Sequence, residues 1–185
     1  IRANDYNPER IQIDDRTVSA MGIGGYPSNV DVGASSTGSI TGVLGYEFSS
    51  FDLSPTLAMP GFTGGVTPET TALLGAADAL IVATYNVENL DPNDGAAAFA
   101  ARATQIVNYL GSPDILLLQE MQDNNGATNN SVVDASTTFQ TLINAIVTAG
   151  GPTYEFRQIN PVDGTNGGES GGNIRQGFLF NPARV

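Results

Sequence analysis

Asn86 and Glu120 are the two residues whose types and placement could do chemistry. Asn86 follows the apolar run Ile81-Val82-Ala83-Thr84-Tyr85, and Glu120 follows Ile115-Leu116-Leu117-Leu118-Gln119. Each run reads as a buried strand that delivers its polar group at its C-terminal end. One helix-length segment lies between them, so the two strand ends read as neighbours. An amide and a carboxylate converging there suit a divalent cation that activates a phosphate ester. Taken alone, Glu120 is a hard oxygen ligand for Mg²⁺, Mn²⁺ or Ca²⁺, or else a surface Glu after a strand. Asn86 alone caps a turn, orients a metal-bound carboxylate or holds a phosphate oxygen. The chain contains no histidine, so the commonest general base is missing from it.

The elements that must position these groups begin near Ala79. Ala79 to Tyr85 reads as the first strand. Asp91-Pro92-Asn93-Asp94 is a helix start, with a capping Asp and a Pro suited to the first turn. Phe99, Ala103, Ile106 and Leu110 follow at helical spacing, and Gly111 ends that helix. Asn124 to Ser131 reads as a polar loop. Phe139, Leu142, Ile143, Ile146 and Val147 mark a second amphipathic helix, stopped by Gly150-Gly151-Pro152. Tyr154 to Ile159 and Ile174 to Phe180 read as two more strands. The alternation of strands and helices predicts an α/β layer with helices packed on a sheet.

Upstream, the pattern is β. Arg10 to Asp14 alternates polar and apolar residues. Ser39 to Tyr46 and Glu47 to Leu53 carry β-branched and aromatic residues. Gly22 to Gly38 reads as a loop. Two or three strands cannot hold an independent core, so residues 1–58 are expected to be the C-terminal part of a small β domain. Pro60, Gly61, Gly64, Gly65 and Pro68 mark 59–78 as a linker, and 79–185 forms the α/β part.

Composition narrows the partners. The chain has 185 residues, no cysteine, seven basic residues that are all arginine, 19 acidic residues and a net charge of -12. Disulfides and thiolate metal sites are excluded. An acidic, Lys-free, Cys-free chain rich in Asn, Asp, Gly, Ser and Thr reads as an exported bacterial protein, secreted or held at the cell surface. Its charge opposes non-specific attraction to nucleic acid, so polyanion binding must rest on bound metal or a local Arg. No apolar stretch approaches the roughly 18 residues of a transmembrane helix. Asp163 to Asn173 is Gly-rich and reads as a surface loop; cradling phosphate or holding Ca²⁺ are its alternatives. Asp123, Asn124 and Asn125 sit either at the rim of the site or in an ordinary polar loop.

The stretch Thr84-Tyr85-Asn86-Val87-Glu88-Asn89-Leu90, with Pro113-Asp114-Ile115-Leu116-Leu117-Leu118-Gln119-Glu120, resembles the endonuclease/exonuclease/phosphatase (DNase I-like) superfamily. Gly171-Gly172-Asn173-Ile174-Arg175-Gln176-Gly177-Phe178-Leu179-Phe180-Asn181-Pro182 looks like a later strand of its secreted bacterial extracellular nuclease branch. Asn7 to Asp14 and Thr41 to Tyr46 resemble the small, OB-like β domain that precedes the nuclease domain there. The resemblance implies the N-terminal part of a four-layer α/β/β/α sandwich and metal-dependent phosphodiester hydrolysis by an activated water. Glu120 would then ligate the metal, most simply Mg²⁺. Asn86 would help hold metal and phosphate, and Arg175 would contact a substrate phosphate. The other reading of Arg175 is a strand Arg that is solvated or paired with an acid. In the family a central His, an Asp-x-Asn motif and a terminal Asp-His pair lie on later strands. These are expected beyond Val185, with the present chain the N-terminal portion of a longer protein and inactive alone.

The expected function is therefore part of an exported metal-dependent nuclease, with DNA a likelier substrate than RNA. A phospholipid or phosphosugar phosphodiesterase of the same superfamily is one alternative. A non-catalytic, calcium-binding surface or matrix protein that keeps the fold is another.

Overall fold

The computed structural model describes residues 10–14, 16, 22, 23, 30–73, 75–166 and 168–185. The chain divides into two units, Ile1–Thr67 and Pro68–Val185.

The first unit is β throughout its described elements. β1 (Gln12–Ile13), β4 (Ser50–Pro55) and β3 (Gly42–Glu47) form one sheet, with β1 parallel to β4 and β4 antiparallel to β3. Phe48 and Ser49 turn the β3–β4 hairpin with φ of 48° and 63°. A second sheet pairs β2 (Ala34–Ser36) with β5 (Phe62–Gly64), antiparallel. Both strands of this sheet correct the sequence reading. β2 lies in the stretch expected to be loop, and β5 in the expected linker 59–78. Their residues are Gly, Ser, Thr and Ala around a single aromatic, so cross-strand pairing rather than intrinsic preference holds them. Among the residues described here Phe51, Pro55 and Met59 are the buried apolar ones.

The second unit is α/β. Its sheet has the order β6 (Val82–Leu90), β7 (Ile115–Met121), β9 (Arg175–Phe180), β8 (Glu155–Gln158). β6 and β7 are parallel; the other two pairings are antiparallel. The crossover between β6 and β7 is α1 (Gly95–Thr104), continued by a π turn over Gln105–Tyr109. Asp91 caps the short 3₁₀ turn Pro92–Asp94 that leads into it. Its Oδ1 accepts from Asn93 N at 2.6 Å, and Asp94 Oδ2 accepts from Asp91 N at 2.9 Å, a reciprocal cap. Gly111, at φ 69°, lets the chain turn back into β7.

α2 (Ser136–Thr148) starts at Ala135, whose side chain cannot cap. Asn124 does so from outside the helix: its Oδ1 accepts from Thr137 N at 2.8 Å and Thr138 N at 3.3 Å. Its Nδ2 donates to Asp134 Oδ2 at 2.8 Å. Asn124 is thus a structural residue of α2, not a rim residue. Among the described residues no helix is long and apolar enough to cross a membrane.

Strand alternation assigns the two faces of this sheet. Val87, Leu116, Leu118 and Leu179 point to one face, where they are buried with Phe99, Ala103 and Ile106 of the α1 segment and Phe139, Leu142, Ile143 and Ile146 of α2. On the other face the register aligns Thr84, Leu117, Phe178 and Arg157 in one row. That face is open: Val82 is 63% exposed and Phe178 48%. The Arg157 guanidinium lies 4.8 Å from the Phe180 ring centroid on it.

Candidate functional site

β6 does not end at Asn86, as its apolar run suggests, but continues to Leu90 through an irregularity. Asn86 pairs with Gln119, and the next register pair is Leu90 with Met121. Val87, Glu88 and Asn89 on β6 therefore stand opposite Glu120 alone. The β7–β9 register also shifts, between Leu118 and Met121. On the β6 side the extra residues belong to β6; on the β9 side Gln119 and Glu120 stand opposite Gln176 alone, so Glu120 lies between two bulges. Bulges re-aim side chains.

The backbone at this level is strained. Glu88, Asn89 and Glu120 have φ of 61°, 55° and 61°. Each left-handed residue other than Gly costs on the order of 1–3 kcal/mol, with Asn the most tolerant. Side chains fasten the distortion. Arg102 Nη2 donates to Glu88 Oε2 at 2.8 Å, and its Nε to Val87 O at 3.4 Å. Gln122 Nε2 donates to Asn89 Oδ1 at 3.1 Å.

Asn86 and Glu120 meet at this bulge. Asn86 Nδ2 donates to Glu120 Oε1 at 2.7 Å, and Asn86 Oδ1 accepts from Glu88 N at 2.8 Å. Both ends of the amide are thereby engaged. In this arrangement the amide orients the carboxylate, and its oxygen closes a turn while keeping a second lone pair. Glu120 Oε2 has no hydrogen-bond partner among the described residues. The two residues line an open cleft with Gln119, Asn166, Ile174, Arg175 and Gln176.

Arg175 also departs from expectation. It is 5% exposed. Its Nη1 donates to Gln158 Oε1 at 2.9 Å, to Asn160 Oδ1 at 3.0 Å and to Val133 O; its Nη2 donates to Asn173 O at 2.8 Å. Burial pulls the guanidinium pKa below its ordinary value, opposed by the charges of Asp123 and Asp134. A phosphate contact through Nη1 would have to displace these protein acceptors, whereas Nη2 keeps one N–H beyond its bond to Asn173 O. Only Nε is without a partner.

The Gly-rich loop is tied down at its end. Asn173 is buried; its Nδ2 faces Asp123 Oδ2 at 3.1 Å, Val132 O at 2.8 Å and Asp163 Oδ1 at 3.2 Å. Its Oδ1 accepts from Gly164 N at 3.0 Å. Asp123 is therefore an anchor for this loop and not a rim residue of the cleft. Asn125 joins the same anchor, its N donating to Asp123 Oδ1 at 2.9 Å.

A divalent cation fits the cleft only as a hydrated ion. Glu120 offers one free carboxylate oxygen, and among the described residues no group of three or more Asp, Glu, His or Cys could hold a metal. Mg²⁺ commonly keeps several waters and binds through one or two carboxylates, which matches so sparse a donor set. Arg102, Gln122 and Asn89, which shape the site, were not singled out by sequence. Nothing local marks them, because their partners lie 14 to 33 residues away.

A family model described as a domain of unknown function (DUF8508) matches residues 1–64. That match covers the β unit and none of the cleft residues. No curated protein matches the chain.

Proposed function

We propose that the second unit carries the amide–carboxylate part of a metal-dependent phosphodiesterase site, in an exported nuclease that hydrolyses DNA. One observation carries this reading. A carboxylate with a free oxygen is held at 2.7 Å by a neighbouring amide, on bulged adjacent strands at the wall of an open cleft. A bound divalent cation would act as a Lewis acid toward a phosphoryl oxygen and activate water. Glu120 supplies an oxygen to that cation. Asn86 fixes the Glu120 rotamer, so that Oε2 faces the cleft without an entropic search. The chain has no histidine, so the commonest general base is not among its residues.

The open sheet face supports the same reading at the level of architecture. A sheet covered by helices on one side only, with Val82 and Phe178 bare on the other, is what one half of an α/β/β/α sandwich presents. We propose that a second sheet covers it in the complete protein.

The test is site-resolved metal binding. In a ¹⁵N-labelled 1–185 chain titrated with Mn²⁺, the Asn86 side-chain amide and the Gln119–Glu120 backbone should broaden before the other carboxylate-bearing segments. Glu120→Gln removes the charge and keeps the shape. It should weaken the apparent affinity there at least tenfold, in line with the weight of a charged ligand. Equal broadening in both proteins would refute the assignment of Glu120. DNA nicking by the 1–185 chain should be absent, and measurable nicking would overturn the need for a histidine base.

A further inference from the structure

Gln122 lies just beyond the bulge and is 0% exposed. Its backbone N donates to Leu90 O at 3.1 Å, and its Nε2 to Asn89 Oδ1 at 3.1 Å. Its Oε1 is buried with no partner. Gly172 leaves the space it fills: a Cβ there would stand 2.5 Å from Oε1. A buried amide that satisfies one end and leaves the other unpaired carries a desolvation cost. It is retained in a slot formed by the bulge on one side and the Gly-rich loop on the other.

We propose that Gln122 is the positioning residue of the Asn86–Glu120 site. It acts through Asn89. Glu88 and Asn89 are consecutive left-handed residues, and this backbone course brings Glu88 N onto Asn86 Oδ1. That bond sets the Asn86 amide, and the Asn86 amide sets Glu120. By gripping the Asn89 side chain from the position just after β7, Gln122 holds the whole sequence of bonds to a single geometry. Gly172 gives the Gly-rich loop a hold on the same point. Any shift of that loop into the Gln122 slot is then transmitted to Glu120, which stands two residues earlier, in β7.

The inference rests on the cation reading of Glu120, and the experiment separates the two. Asn89→Gly is the informative variant. Glycine adopts φ 55° freely, which offsets part of the cost of leaving Gln122 Nε2 unpaired, so the fold keeps its course with a modest fall in thermal stability. The grip of Gln122 is nevertheless lost. Gln122→Met, of similar shape but without the amide, is the second variant. In the full 1–185 chain both should weaken Mn²⁺-induced broadening at the Asn86 side-chain amide about fivefold, with Asn89→Gly still folding cooperatively at a modestly lower Tm. If Glu120→Gln removes the broadening while both variants bind as the parent does, Gln122 is merely structural and the inference fails. If Glu120→Gln changes nothing, the cation reading itself fails and takes the inference with it. Should Gln122→Met not fold, Asn89→Gly decides alone.

Discussion

The two faces of the four-stranded sheet are built from the same strands and meet opposite fates. On the helix side Leu116, Leu118 and Leu179 are fully buried. On the other side, one residue along, Thr84, Leu117, Phe178 and Arg157 make a row that nothing in this unit covers. The difference teaches where the stability of the unit resides and where its function has room. The covered face holds the fold. The open face and the bulged strand ends leave the cleft accessible and carry the strain that a packed layer would not tolerate.

The largest blow to this asymmetry is a cavity on the covered face. Leu118→Ala should cost about 2–5 kcal/mol, read as a drop in the urea midpoint of the second unit. A milder perturbation strikes the same side through α2. Asn124→Ala strips the cap from Thr137 and Thr138 and should cost about 1 kcal/mol by the same measurement.

Acid should loosen the same layer. Asp134 is held below the usual carboxylate range, first by the Ser136 hydroxyl and then by Asn124 and Gln158. Asp114 is lowered by Arg184 and by the backbone N of Ile81. Both carboxyls lose their protons more readily in the folded chain, so protonation favours unfolding. Their contribution is complete above about pH 4 and is lost as pH falls further. Urea midpoints from pH 6 down to pH 3 should show the decline, and Asp134→Asn should flatten part of it.

The smallest effect belongs to the open face. Phe178→Ser, at a residue 48% exposed, should change stability by less than about 1 kcal/mol. A cost as large as that of Leu118→Ala would show that the two faces are not different in kind.

The contrast also explains what was legible in the sequence. Apolar periodicity located β7, β9 and both helices, because burial of one face writes itself into residue order. Asp91-Pro92 marks the 3₁₀ turn that leads into α1, because that cap is local. The cap of α2 was not legible, since Asn124 works across 13 residues. Nor was the bulge. Glu88 and Glu120 are ordinary letters, and nothing nearby announces a positive φ without glycine. Asn86 and Glu120 were placed together correctly, but the role of Asn86 depended on which way its amide faces, which is decided by Glu88 N. Arg175 looked like a charged residue on an exposed strand position. Its acceptors come from Val133, Gln158, Asn160 and Asn173, which no spacing rule connects to it.

The sheet order has a consequence for how the molecule behaves in bulk. β6 and β8 each have one strand neighbour among the described residues. A strand with a free side presents unpaired N–H and C=O groups onto which another copy can zip. β6 does so beside a bare Val82. The net charge of -12 keeps copies apart by repulsion. The range of that repulsion shrinks from about 10 Å at 0.1 M salt to about 3 Å at 1 M. Ionic strength therefore sets the colloidal lifetime of this layer, with dilute buffer favouring dispersed molecules and concentrated salt favouring edge-to-edge stacks.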